Sequence, residues 1–210
     1  MTNNPFLSVW TQPKQTIRDV LENKGSGFTI AMAGLAGIGG GLINLEGSGF
    51  GESLPLFMVF LVAALIGVII SIIGVYISAG LYTMVGKWFG GTGNFRRMMI
   101  AIGPSYIPQI VTAAAYLLVA IMYAEQFVQA TDPTALGMEG ITALPIGAYL
   151  ITLFISAVFG IWGVVIVCKA IGIVHGFSSW KGLGVILTVA ALVFALVLVI
   201  GIIIVFTVFI

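Results

Sequence analysis

The chain has 210 residues, of which 60% are hydrophobic and only 7% charged, with a net charge of +1. A soluble globular domain carries roughly a quarter of its residues as charges, so this composition points to an integral membrane protein. It excludes a nucleic-acid footprint, which needs basic residues gathered on one solvent face, and an internal disulfide, because Cys168 is the only cysteine.

Residues 1–26, "MTNNPFLSVWTQPKQTIRDVLENKGS", read as a cytoplasmic amphipathic segment ahead of the membrane domain. Asn4 followed by Pro5 is an N-cap and first-turn signal, and Gln12 with Pro13 repeats it, so two short helices are predicted. In the second, Ile17, Val20 and Leu21 share one face while Lys14, Arg18 and Glu22 share another; Phe6, Leu7, Val9 and Trp10 add apolar mass just before it. Two arrangements suit this pattern: a helix lying in the membrane interface, or a cap packed under its own bundle.

Residues 27–210 then divide into five apolar runs, at 27–45, 55–86, 98–123, 145–168 and 183–210. About 20 apolar residues suffice to cross a hydrocarbon core of roughly 30 Å, and a chain in lipid must satisfy its backbone internally, so each run is predicted to be a helix. The fold class is therefore all-α, with five transmembrane helices. The first run starts later than most secretory signals and reads as a retained span. The second and fifth are longer than a span needs, and either tilt or extend into the interfaces.

The eight basic residues set the expected orientation. Lys14, Arg18 and Lys24 precede the first span, Lys87, Arg96 and Arg97 separate the second and third, and Lys169 and Lys181 separate the fourth and fifth. The alternate loops hold Glu46, Glu52, Glu125, Asp132 and Glu139 and no cation. Basic loops are retained inside, which predicts a cytoplasmic N-terminus, an external Ile210 and a multi-pass protein of the plasma membrane. The outer segment 124–144, with Pro133, fits either a short surface helix or irregular chain.

Small residues recur every four positions within the spans: Ala33, Gly37 and Gly41 in the first, Gly74 and Ser78 in the second, Ser156 and Gly160 in the fourth. Such spacing lets helix backbones approach closely, within a compact bundle or an oligomer. Between the second and third spans lies "KWFGGTGNFRR", 87–97. A phosphate-binding loop would place its lysine after the glycines, whereas Lys87 precedes them. The better reading is a tight turn, with glycine supplying positive φ, Trp88 and Phe95 at the headgroup level, and Arg96 and Arg97 facing lipid phosphates.

In "GPSYIPQIVT", Pro104 and Pro108 are spaced to kink or interrupt the third helix. Ser105, Tyr106, Gln109 and Thr112 would line a substrate site there if the break were functional; a simple shape feature is the alternative. No ionisable side chain falls within the runs, so proton relays and voltage sensing lack their usual carriers. His175 is the single histidine; it reads as structural, with pH sensing as the rival role. Neither a metal set nor a cofactor or catalytic constellation is predicted.

Taken in order, "NPFLSVWTQPKQTIRDVLE", "GGTGNF", "GPSYIPQI" and "WGVVIVCKAIGIVHGFSSWKG" resemble the Yip family, the Ypt-interacting-protein type of five-span membrane proteins. The short head is similar to that of bacterial or archaeal members. The resemblance implies a non-enzymatic role and transfers Trp10, Pro13, Gly90, Gly91, Phe95, Pro108, Trp162, His175 and Gly176 as a folding and cytoplasmic-face set. Eukaryotic members act in membrane traffic and bind prenylated small GTPases through a long head. This chain departs from them there, and that partnership is not carried over. The expected function is that of a scaffold or accessory subunit, with membrane lipids and another membrane protein or a second copy as partners. The alternatives are passive carriage of a small polar solute through the Pro104–Pro108 break and lipid organisation through Arg96 and Arg97.

Overall fold

The computed structural model describes residues 4–50, 54–132, 134–135 and 137–209; Glu52, Pro133 and Ile210 lie outside the described residues. Among the described residues there are nine α-helices and no strand: α1 (Pro5–Ser8), α2 (Pro13–Asn23), α3 (Ser26–Leu45), α4 (Leu56–Trp88), α5 (Phe95–Ala101), α6 (Tyr106–Met122), α7 (Ala124–Val128), α8 (Ile146–His175) and α9 (Ser179–Phe209). Short 3-10 turns occupy Gly103–Ser105 and Met138–Gly140. Five stretches are long and apolar enough to cross a bilayer: α3, α4, the run Phe95–Met122, α8, and α9 to Thr207.

The spans differ from expectation mainly at their ends. The fourth span, α8, runs past Cys168 to His175, so Lys169 belongs to the helix and the connection to α9 shrinks to residues 176–178. One lysine near a helix end does not break it, whereas Gly176 does: its φ of 76° is open to glycine at little cost. The 33 residues of α4 reach about 50 Å at about 1.5 Å per residue, well beyond a hydrocarbon core.

The third span is interrupted. Pro104 lies in the Gly103–Ser105 turn, and its missing N–H removes a donor from the Ile100 carbonyl. The Thr29 hydroxyl of α3 donates to that carbonyl at 3.3 Å. A Cβ at Gly103 would come within 2.5 Å of the same hydroxyl, so glycine lets α3 reach the break. Pro108 falls in the first turn of α6, where an amide has no intrahelical acceptor in any case.

The spans are joined by close packing rather than by a hydrophobic drive, which lipid does not supply between helices. A Cβ at Gly37 would lie 2.6 Å from the Gly67 carbonyl oxygen and 2.9 Å from Val68 Cα, and Gly41 lies directly on the Ala63 carbonyl. Ser71 Oγ donates to the Ala33 carbonyl at 2.8 Å across the same seam. On its other flank α3 meets α6, where Gly39 lies against Ala113. The triplet Ala33, Gly37 and Gly41 is thus consumed inside the bundle. At Gly74 and Gly160 an added Cβ would meet nothing within 4 Å; both lie on open flanks, so of the three small-residue sets only the first is shown packed inside the bundle.

Residues 5–23 pack onto this bundle. Val9 and Ile17 are fully buried and Val20 nearly so, with α2 set against α5, α8 and the Gly103–Ser105 turn, while Phe6 and Leu7 stay exposed. Asn4 Oδ1 accepts from Phe6 N at 3.0 Å, the N-cap read from the sequence; Gln12 makes no such bond. Between the third and fourth spans, α7 and a 3-10 turn form, and Phe127 is fully buried.

Candidate functional site

The alternation of spans brings residues 89–94 and 176–178 to the same end of the molecule as α1 and α2, which we call the His175 end. There two sequence-distant turns interlock. Gly93 N donates to His175 Nδ1 at 3.1 Å, which makes Nδ1 the acceptor and puts the ring proton on Nε2. That nitrogen lies 3.2 Å from the Tyr82 carbonyl oxygen in α4. Thr92 N completes the set by donating to the His175 carbonyl at 3.3 Å. A neutral imidazole with both nitrogens engaged ties α4, the 89–94 turn and the end of α8 together.

The glycines of "GGTGN" divide between two tasks. Gly90 has a φ of 82° and turns the chain, with its N–H donating to Lys87 O at 3.0 Å. Gly91 and Gly93 have no positive φ; they are small because the His175 ring occupies the place of a side chain. A Cβ at Gly93 would lie 2.9 Å from two ring atoms, and Cβ atoms at Gly91 and at Gly86 of α4 would overlap the ring outright. The expectation that the glycines act as turn formers is corrected to one of three. Asn94 then caps α5, its Oδ1 accepting from Arg97 N at 3.0 Å.

Beyond the ring, Phe177 stacks on His175 at 5.4 Å between centroids and 8° between planes, and Lys181 Nζ sits 5.9 Å from the Phe177 centroid. Phe95 stacks on Tyr76 of α4 at 6.5 Å. Trp10 donates its Nε1 proton to the Phe6 carbonyl at 2.8 Å and sets its ring edge-on to Phe159 at 5.6 Å, pinning α1 to α8. Pro13 is buried at the start of α2. Trp162 packs on the same core, and its buried indole N–H has no hydrogen-bond partner among the described residues.

The Pro104–Pro108 break contributes to a second feature. A groove of about 710 Å³ runs between α3 and α4 from Leu54 to Tyr106 and Gln109, floored by the Gly37–Gly67 contact. Its walls are mostly aliphatic, from Val62, Ile66 and Ile70. Ser105 does not line it; its hydroxyl is buried and donates to Ile102 O at 2.6 Å. Thr112 Oγ1 is turned toward Pro108 O at 3.5 Å. Of the predicted polar lining, Tyr106, Gln109 and Thr112 border the groove.

The sequence marked His175, Gly90, Gly91 and Gly176 without relating them. Gly86, Gly93 and the Tyr82 carbonyl were missed as partners of His175. A backbone acceptor has no signature in sequence, and a glycine made necessary by a ring on another helix looks like any other glycine.

A bundle of five apolar spans, closed at one end by an interlocked pair of turns and an N-terminal cap, defines a polytopic helical membrane protein. Residues 7–202 match the Yip1 domain, and the chain belongs to that family. The matched region extends from α1 into the outer half of α9. No curated protein and no solved structure matches the chain.

Proposed function

We propose that this chain is a non-enzymatic scaffold or accessory subunit that docks laterally on another membrane protein or a second copy, with its His175 end in the cytoplasm. The observation that carries this reading is the location of Gly74 and Gly160. Both lie on helix flanks where an added Cβ would meet nothing within 4 Å, and each has a serine partner four residues away, Ser78 and Ser156. Small residues on an outward flank do nothing for intrachain packing, yet they allow a second helix to approach closely. Every described side chain from Ala190 to Thr207 in α9 is exposed, a further apolar surface for lipid or a partner helix. Placement of the basic residues Lys14, Arg18, Lys87, Arg96, Arg97 and Lys181 toward one end supports the orientation.

The test is cross-linking in native membranes at endogenous expression, followed by mass spectrometry of what accompanies the chain in fixed ratio. A stoichiometric membrane partner, or a dimer, that is lost in Gly74→Leu or Gly160→Leu is expected. Recovery of monomer alone from the unmodified protein ends the proposal. The groove at Tyr106 and Gln109 favours a second reading, passive carriage of a small solute. Reconstituted liposomes decide it: absence of flux through the unmodified protein, against a panel of small polar solutes, removes it.

A further inference from the structure

A cavity of about 830 Å³ opens at the His175 end between α2, the first turn of α5 and the connection from α8 to α9. Its cations come from two separate elements: Lys14 and Arg18 from α2, and Arg97 from α5. Lys14, Arg18 and Glu22 follow one another at four-residue spacing along α2, so they share a face, and among the described residues Glu22 is the only carboxylate in the lining. Among the described residues no ion pair holds the three cations. Asp19, the other acid on α2, accepts from Gln15 Nε2 at 2.9 Å and does not line the cavity.

The opposite wall is neutral and rich in donors. Gly176, Ser178 and Ser179 pass along it where α9 begins; Ser178 Oγ caps Lys181 N at 3.4 Å, which leaves the amides of Ser179 and Trp180 with no acceptor within the helix. Gly172 lies beneath them: a Cβ there would stand 3.2 Å from Ser179 N and 3.0 Å from Phe177 O. Two arginines, a lysine, two serines and a helix start border a space larger than one inorganic anion needs. Arginine forks and helix N-termini both favour phosphate oxygens. Trp180, 81% exposed, and Trp88, 62% exposed, stand at the same end, where such rings settle at the headgroup level.

We propose that this cavity is a binding site for a phosphate-bearing group, with Arg18 and Arg97 as its principal ligands and Lys14 as a third positive charge. The phosphate belongs to an anionic phospholipid headgroup of the adjoining leaflet or to a small soluble phosphomonoester. The site does not depend on the scaffold reading and is distinct from a general basic surface in one respect: Arg96, beside Arg97 in sequence, does not line it.

The experiment uses the full chain purified in mild detergent, with native mass spectrometry reading retained dioleoylphosphatidylglycerol against dioleoylphosphatidylcholine. Arg18→Gln and Arg97→Gln are each expected to weaken retention of the anionic lipid about tenfold, the scale of one charge-assisted hydrogen bond. Arg96→Gln should leave it within about twofold, and Glu22→Gln should strengthen it, because the one opposing charge is removed. Thermal unfolding and size-exclusion profiles check folding; should Arg97→Gln misfold, Arg18→Gln and Glu22→Gln, both exposed on α2, carry the test alone. A second arm adds inorganic phosphate and glycerol 3-phosphate as competitors. Displacement of the lipid by them assigns the site to soluble phosphates, and retention in their presence assigns it to lipid. Equal losses for Arg96→Gln and Arg97→Gln, or no loss in Arg18→Gln, overturn the proposal.

Discussion

The two ends of the molecule are built on different principles. At the His175 end, polar backbone groups from α4 and the 89–94 turn meet on one imidazole of α8, and Val9, Ile17, Val85, Met98, Ile166 and Val185 are fully buried in one cluster. At the opposite end the connections are lighter: Gly47 N donates to Phe127 O at 3.1 Å, Gly49 N to Val128 O at 3.0 Å, and Thr142 Oγ1 to Glu46 at 3.1 Å, while the outer half of α9 stands clear of the bundle. Apolar helices gain little by choosing one another over lipid, so specificity has to come from backbone contact at glycine and from polar groups that need a partner. The His175 end has both. The outer half of α9 has neither.

The sharpest way to test this contrast is to place the same side chain at glycines of each kind. Gly91→Leu and Gly86→Leu force a side chain into the space of the imidazole and are expected to prevent folding or to lower the unfolding temperature in detergent severely. The milder Gly91→Ala should cost about 1–3 kcal/mol, as overpacking does. Gly74→Ala and Gly160→Ala, on open helix flanks, should be neutral or stabilise by up to about 1 kcal/mol through helix propensity. Equal effects at Gly91 and Gly74 would break the comparison.

His175→Ala comes next, at about 2–4 kcal/mol, because it removes a buried ring and leaves the Gly93 amide and Tyr82 carbonyl without their partner. Unfolding in detergent measures it, and hydrogen exchange at Gly93 locates it. Thr29→Val is smaller, about 1 kcal/mol, since it deprives the Ile100 carbonyl at the proline break of its hydroxyl donor while nearly preserving shape.

The smallest effects belong to the Glu46 end, where two carboxylates respond to pH with opposite sign. Burial pushes the Glu46 carboxyl above the ordinary 4.5, partly offset by the Thr142 hydrogen bond. Its protonated form is therefore favoured by folding, and the contribution is complete below 4.5 and lost as pH rises through the higher folded value. Asp132 is held below 3.8 by the Thr134 side chain and backbone, so its contribution is complete above 3.8 and lost as pH falls through the lower folded value. Glu46→Gln, which keeps an acceptor for Thr142, should abolish the first dependence and leave the second. An unchanged stability–pH profile would show that Glu46 is no more buried than an ordinary surface acid.

Much of the architecture is legible in the sequence. The five spans follow from apolar run length, because lipid leaves a chain no alternative to internal hydrogen bonding. The Asn4–Pro5 cap and the interruption at Pro104 are local events, set by residues a few positions apart, and the sequence alone determined them. What only the tertiary structure decided is which small residues face inward, since Gly37 and Gly74 share one chemistry and differ in what lies opposite. The same holds for His175, whose partners are a backbone amide and a carbonyl from two other segments. It holds again for Arg97, which borders a cavity that its neighbour Arg96 does not. Run length and turn chemistry act along the chain; helix rotation and the meeting of distant turns are settled by packing in three dimensions, where identical residues acquire different neighbours.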